Sequence, residues 1–472
     1  MVVVPSITTE SVKIVGTPQI THFKAVFRRH TNFLIEQKVH SSSGNELVSS
    51  NQQTYTITSG GHLLYKCWIE AELSPAAGGG VTESEYINWT NNTGHALIEE
   101  VQLYVSSNLI DKHSGLWLDV YNELNDIGGR EHQGLNKHTC KNSYLKSNTH
   151  RLKPINLVIP LKFWFNTNPG LALPLVSLYN SKIEFKVKYR NLAHLINMSN
   201  KYAPDAGNTL TPPVIKFYTE IIHLDTPEAT RFKQNRHEYL IETIQEQPPT
   251  PLINKVKLQF AHPVKELIWI IRHADRYVTP SPPATNATID ATLNRSYNSK
   301  GNTATLLFNT VGNQNIAHAG EHVAQTNDYF EYSCGTLGPN GAVPNFVATG
   351  HGGSNLYGYN TDGCDWFDTA TVEIKGEKFS DPPLNASYLR TTHPYEHGHN
   401  VPNKHVYSYS FALNPNEYTP SGLYNLSDAE NQSLNFINPI EATGSNSQIS
   451  VFAVAYNIFR VFAGKGTLVF SQ

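Results

Sequence analysis

Methionine and cysteine are nearly missing from this chain, with two and four copies among 472 residues. Cys67, Cys140, Cys334 and Cys364 stand so far apart that their spacing yields neither a zinc ribbon nor a disulfide framework, and they read as buried free thiols. Long apolar runs are lacking too. A membrane-spanning helix needs about 20 largely apolar residues, and the greasiest window, Leu157 to Leu178, is broken by Lys162, by Asn166 to Gly170 and by three prolines. Neither sign of charge dominates, since 36 basic and 39 acidic side chains leave a formal net charge of −3. That balance gives no broad electrostatic footprint for a nucleic-acid coat or an anionic membrane, so proteins are the expected partners and direct nucleic-acid contact is not expected. The opening MVVVPSITTESVKIVG lacks the cationic and long apolar regions of a secretory signal, so export by that route is not expected.

What is plentiful is Asn, Thr, Tyr, Gly and Pro, a mixture that favours strands and turns over helices. Ile183, Phe185, Val187 and Tyr189 alternate with Glu184, Lys186 and Lys188, the period of a strand with one wet face. The same alternation runs through Tyr65 to Leu73, Val101 to Val105, Val256 to Phe260 and Tyr407 to Leu413, and a long strand pattern covers Ile449 to Phe462. The most helical window is Ser114 to Leu124, where Leu116, Trp117, Val120, Tyr121 and Leu124 recur at helical spacing behind a serine cap, with Gly128 and Gly129 as its stop. QEQPPTP, residues 245–251, reads as an extended connector and marks the domain boundary. Its flanks are each within the size of one β-sandwich or barrel, and no residue-level repeat links them. Thr279 to Asp365 reads as long loops on a β scaffold.

Enzyme-like patterns are few. HPYEHGHN crowds His393, Glu396, His397 and His399, a set that could ligate zinc, iron or manganese, and its H-x-H is similar to cupins. The carboxylate such a set requires is replaced by Pro402, Asn403 and Lys404, so a loop held by histidine hydrogen bonds is the default reading. AGKGTL, Ala463 to Leu468, lacks the first glycine of a phosphate loop and a following helix, and reads as a turn between terminal strands. His318 and His322 in HAGEH are weaker still. Arg28, Arg29 and His30 are too few for a nucleic-acid surface and are expected to pair with a neighbouring element. Of eight glycosylation sequons, Asn286 and Asn294 lie in the loop composition that best suits a glycan.

Several stretches together resemble the major capsid proteins of nucleocytoplasmic large DNA viruses, of the algal-virus and marseillevirus type. GTPQITHFKAVFRRHTNF, Gly16 to Phe33, is similar to that family's lead-in to its first barrel, and HSGLWLDVYNEL resembles its insertion helix. PLKFWFNTNPGLALPLVSL, Pro160 to Leu178, resembles its most distinctive segment. HPVKELIWIIR, His262 to Arg272, looks like a strand of the second barrel, and FALNPNEYTPSGLYNLS, Phe411 to Ser427, like its proline-serine-glycine turn.

The resemblance implies an all-β chain of two consecutive eight-stranded jelly-roll barrels with short helical insertions and long outer loops. On that frame residues 1–24 form an N-terminal arm, 25–244 the first jelly roll, 245–251 the connector and 252–472 the second jelly roll, with its long loops near 279–365. It also implies homotrimers of pseudo-hexagonal outline that tile an icosahedral virion capsid assembled in the host cytoplasm. Their partners would be neighbouring trimers, minor capsid and penton proteins, and an inner membrane beneath the shell. No enzyme activity and no cofactor is implied. A cupin-like metal enzyme and a sugar-binding β-sandwich are the alternatives. The structural turn is expected at Asn166, Asn168, Pro169 and Gly170, with Pro169 fixing φ and Gly170 supplying a conformation other residues resist.

Overall fold

The computed structural model describes residues 16–43, 52–57, 60–73, 87–89, 92–125, 155–190, 195–198, 213–273, 330, 332, 365–402, 404–439 and 447–470. In the first half the main strands are β1 (Phe33–His40), β2 (Gln52–Ile57), β3 (Leu63–Leu73), β4 (Ile98–Val105), β5 (Asn108–Ser114), β6 (Ile155–Pro160), β7 (Ile183–Tyr189) and β8 (Val214–Leu224). They form two antiparallel sheets, ordered β1-β8-β3-β6 and β2-β7-β4-β5, the second extended by the short strand Ser42–Ser43. This pairing is a jelly roll, two Greek-key sheets closed face to face. The period-two pattern explains why: on β7 the four apolar residues are buried between the sheets while Glu184, Lys186 and Lys188 face outwards.

The second half repeats the plan. Strands β9 (His237–Pro251), β10 (Lys255–Leu258), β11 (Pro263–His273), β12 (Thr369–Ile374), β13 (Glu377–Lys378), β14 (Val406–Ser410), β15 (Gln432–Ile437) and β16 (Ser447–Phe462) form sheets ordered β9-β16-β11-β14 and β10-β15-β12-β13. Counted from each barrel's own start, both halves read first-eighth-third-sixth and second-seventh-fourth-fifth. The duplication is therefore one of topology, in a chain without an internal sequence repeat. Lys465–Leu468 doubles back on β16 through Ala463 and Gly464, both at positive φ, the backbone of a two-residue hairpin.

The Pro-rich connector is corrected by this arrangement. Residues 245–251 are extended, but they are the end of β9, paired with β16 from His237 to Pro251. The register shifts between Gln247 and Thr250, which leaves Pro248 and Pro249 at the irregularity, where their missing N–H groups cost no ladder bond. The link between the halves is instead a helix, Thr226–Gln234, whose Asp225 side chain accepts from the Thr226 N–H at its start.

The predicted helix is present as Gly115–Asn125, and the Ser114 hydroxyl accepts from the Trp117 N–H at 3.0 Å. Gly115 is required by contact: a Cβ there would lie 2.2 Å from the Ile98 carbonyl oxygen. Nine of its eleven residues are buried, including Asp119 and Glu123, so this helix is wedged between other elements and does not lie on a surface. Gly128, Gly129, Asn286, Asn294, His318, His322, Cys140, Cys334, Cys364 and nearly all of the loop region 279–365 lie outside the described residues.

Candidate functional site

The two segments most distinctive in the sequence occupy equivalent places. Pro160 to Leu178 connects β6 to β7, and Phe411 to Ser427 lies between β14 and β15. Both line a cavity of about 300 Å³ between the barrels, the first through Trp164, Thr167 and Pro169, the second through Pro415, Asn416 and Tyr418.

The first segment winds as two short helical turns, Trp164–Thr167 and Pro169–Leu171. Asn166 is the hub: its side-chain amide donates to the Leu161 carbonyl oxygen at 2.7 Å and to the Cys67 sulfur at 3.2 Å. Cys67 is buried and free, and burial pushes its thiol up to about 12. Asn168 caps the second turn by accepting from the Gly170 N–H at 2.8 Å, and Pro169 sits at the turn's first position, where its missing N–H has no partner to lose. Gly170 itself is corrected. It is absent from the glycines at positive φ, its site is exposed, and a Cβ there would meet only the Asn168 Oδ1 at 3.2 Å. The Asn168 side chain, rather than a glycine conformation, shapes the turn.

The aromatics of this segment fill both the first barrel and the seam. Phe163 and Phe165 stack at 5.8 Å inside the barrel, while Trp164 reaches Phe459 of β16 at 5.8 Å. Trp117 on the wedged helix meets Phe452 of β16 at 5.3 Å. One hydrophobic cluster consequently runs from the first barrel's interior through Ile241, Ile268, Ile270, Phe452, Val454 and Phe459, while Leu267, Trp269, Ile271, Val451 and Ala453 fill the second barrel. Strands β11 and β16 are buried on both faces.

Polar contacts lock the seam at several depths. Lys404, from the second half, donates to Asp119 Oδ2 at 3.0 Å; Tyr332 donates to the same oxygen at 2.8 Å, and Asn92 to Oδ1 at 2.6 Å. The Asn400 N–H donates to the Leu124 carbonyl at 2.8 Å, capping the wedged helix's C-terminal turn from the other barrel. The Ile244 N–H reaches Asp111 of β5 at 3.3 Å. At the hairpin, Ser181 and the Asn180 N–H donate to the Gly464 carbonyl at 2.9 and 3.2 Å.

In the cavity floor His399 Nε2 lies 2.8 Å from Glu266 and its Nδ1 3.1 Å from Asn125 of the wedged helix. Burial alone would push Glu266 up, but the charge and hydrogen bond of His399, with help from Lys265, outweigh it and hold the carboxyl below the usual range. Lys265, also buried, pairs with Glu242 and donates to the Pro415 carbonyl. The sequence motif HPYEHGHN is thereby divided. His399 is spent on the seam, whereas His393 and His397 face each other with ring centroids 4.2 Å apart. Among the described residues no group of three or more His, Cys, Asp or Glu side chains is placed to hold a metal.

Arg28 and Arg29 also depart from expectation. Both are exposed, and neither makes an ion pair among the described residues. Sequence reasoning missed the seam partners Asp119, Glu266 and Lys404. A signal for the seam was present in LeuIleTrpIleIle, 267–271, and ValPheAlaValAla, 451–455, which are unbroken apolar runs rather than alternating ones and so mark strands covered on both sides.

Residues 21–225 match the family model of the major capsid protein N-terminus, and residues 228–467 match that of the large eukaryotic DNA virus major capsid protein. The chain belongs to this capsid protein family. The boundary between the two matches falls at the Thr226–Gln234 helix, where the structure also passes from one barrel to the next. This capsid protein is 27% identical over 513 aligned positions to the major capsid protein of Phaeocystis pouchetii virus, with 98% of each chain covered. It is 26% identical to that of Paramecium bursaria Chlorella virus 1, covering 98% of this chain and 97% of the relative. Its fold matches the capsid protein in a quasi-atomic model of the PBCV-1 virus capsid with a TM-score of 0.66 at 24% identity, covering 96% of this chain and all of that one.

Proposed function

We propose that this capsid protein works as a homotrimer whose six barrels make a pseudo-hexagonal tile of an icosahedral shell. The observation that carries the reading is the repeated strand order, with the two barrels joined by a hydrophobic seam that continues the first barrel's core. A chain carrying two like barrels in fixed relation lets three copies present six similar sides, so that tiles can meet edge to edge. The function is association, not turnover. Neighbouring trimers, minor capsid and penton proteins are its partners, an inner membrane lies beneath the shell, and assembly takes place in the host cytoplasm. The residues 1–24 are the arm of this tile.

An obligate trimer should bury on the order of 2,000 Å² or more per interface, with fairly apolar centres, whereas tile-to-tile contacts are smaller and wetter. Size-exclusion chromatography with light scattering tests this on the full chain. The expected particle has three times the 52.7 kDa chain mass at micromolar concentration. A monomer that persists across that range overturns the reading.

A further inference from the structure

The segment before β1 is apolar, basic and uncovered. Ile20, Phe23, Val26 and Phe27 are 75%, 98%, 82% and 82% exposed, a concentration of bare side chains that neither barrel's core accounts for. From Ser11 to Ile35 there is no acidic residue, while Lys24, Arg28 and Arg29 are exposed without an ion pair among the described residues.

A surface of opposite character lies on the other barrel. Leu413, Tyr418 and Leu423 are exposed on the loop between β14 and β15. Around them Glu396, Glu417, Asp428 and Glu430 are exposed, and the only Lys or Arg from 391 to 431 is Lys404, buried against Asp119. Strand β1, which follows residues 20–29, begins at the end of its barrel that carries the β6–β7 connection. Phe33 pairs with Leu224 and Leu63 with Ile222, while the adjacent Leu64 bridges to Leu173 of the β6–β7 connection. That connection shares the inter-barrel cavity with Pro415 and Tyr418.

We propose that residues 20–29 of one copy dock on the 413–423 loop of the next, closing the trimer head to tail. The proposal rests on the trimeric reading above. The two surfaces are unlike and lie on different barrels, so the contact is heterologous, and such contacts close a ring when each step turns by a third of a circle. Apolar side chains supply the attraction, and the cationic arm against a carboxylate-bearing loop sets partner and register.

A photo-crosslinking benzoylphenylalanine at position 23 of the full chain, in a mixture of isotopically heavy and light copies, tests the contact. In the trimer fraction the expected product joins position 23 to a 413–423 peptide of a different copy. The charge reversal R28E/R29E should raise the concentration at which trimers dissociate at least tenfold, and adding E417R should recover a measurable part of that loss. Because the arm lies outside both cores, the variant monomer should melt as the wild type does, separating lost assembly from lost folding. Cross-links confined to other surfaces overturn the contact, as does a trimer indifferent to R28E/R29E. Phosphatidylserine vesicles that bind the intact trimer through the arm also overturn it, because the arm is then free for lipid. A wild-type chain that is monomeric throughout overturns the trimer itself, a result distinct from all of these.

Discussion

Two glycines show how differently the same residue type is used. Pro169-Gly170 reads in sequence as a turn that depends on glycine, yet the Asn168 side chain captures the Gly170 N–H and winds the chain helically, so ordinary φ suffices. Such side-chain capture is local hydrogen bonding that residue type alone does not reveal. Gly170→Ala should therefore change stability by no more than about 0.5 kcal/mol, as at other exposed positions. Gly464 has φ +82, and a Cβ there would lie 2.9 Å from Asn180 and Tyr179 of the other barrel. Gly464→Val should cost about 2 kcal/mol or more through backbone strain and loss of that close approach. Thermal unfolding of the two variants side by side checks both; equal effects would contradict the assignment. His393 makes a pH prediction. Burial, aided by the charges of His397 and His399 and opposed by Glu266, pushes its imidazole from 6.5 down to about 4. The unfolded chain then binds the proton first, so stability is full above about pH 6.5 and falls as pH drops towards 4, by on the order of 3 kcal/mol. Glu266, held below its ordinary value of 4.5, adds a loss as pH falls further through its folded pKa. The rings of Tyr388 and Tyr409 also face His393, and their ordinary ionisation lies far above this window. Urea midpoints between pH 7.5 and 4.5 should slope downward for the wild type and less steeply in His393→Gln, where His397, also lowered by burial, keeps part of the slope.

At the scale of elements, the wedged helix decides how the barrels meet. Its amphipathic spacing, serine cap and length were legible from the sequence, because those are properties of a few adjacent residues. Its burial all round was not, because the groups that donate to Asp119 come from positions 92, 332 and 404. The same distinction applies to 245–251. Its prolines correctly indicated extended backbone, while its pairing with β16, some 200 residues away in the chain, left no local trace. Asp119 and Lys404 are both almost wholly buried, so removing either takes a buried counter-charge from the other. Asp119→Asn or Lys404→Met should each cost about 3 to 5 kcal/mol. The double variant should cost clearly less than the two added together, since the loss of their mutual pairing is then counted once. Additive losses in chemical denaturation would show that the two side chains do not act as a pair.

For the whole molecule, the seam makes the two barrels a single body despite separate interiors. In the proposed trimeric tile, any rocking between barrels would change the angle at which its sides meet those of neighbouring tiles. The covalent link contributes little to that rigidity: the residues just after the linking helix, Asn235 and Arg236, are exposed, and the seam is made instead by aromatic packing and cross-barrel hydrogen bonds. A protease site placed between Asn235 and Arg236 should therefore be cut without separating the halves. The two fragments should co-elute in native chromatography and part only in denaturant, because parting exposes Ile268, Ile270, Phe452 and Phe459 to water. Adding Asp119→Asn to the cut protein should lower the denaturant concentration needed for separation, since that substitution removes Lys404's counter-charge at the seam while leaving both barrel interiors intact. Fragments that drift apart in plain buffer would mean that the chain connection, rather than the seam, holds the tile's shape.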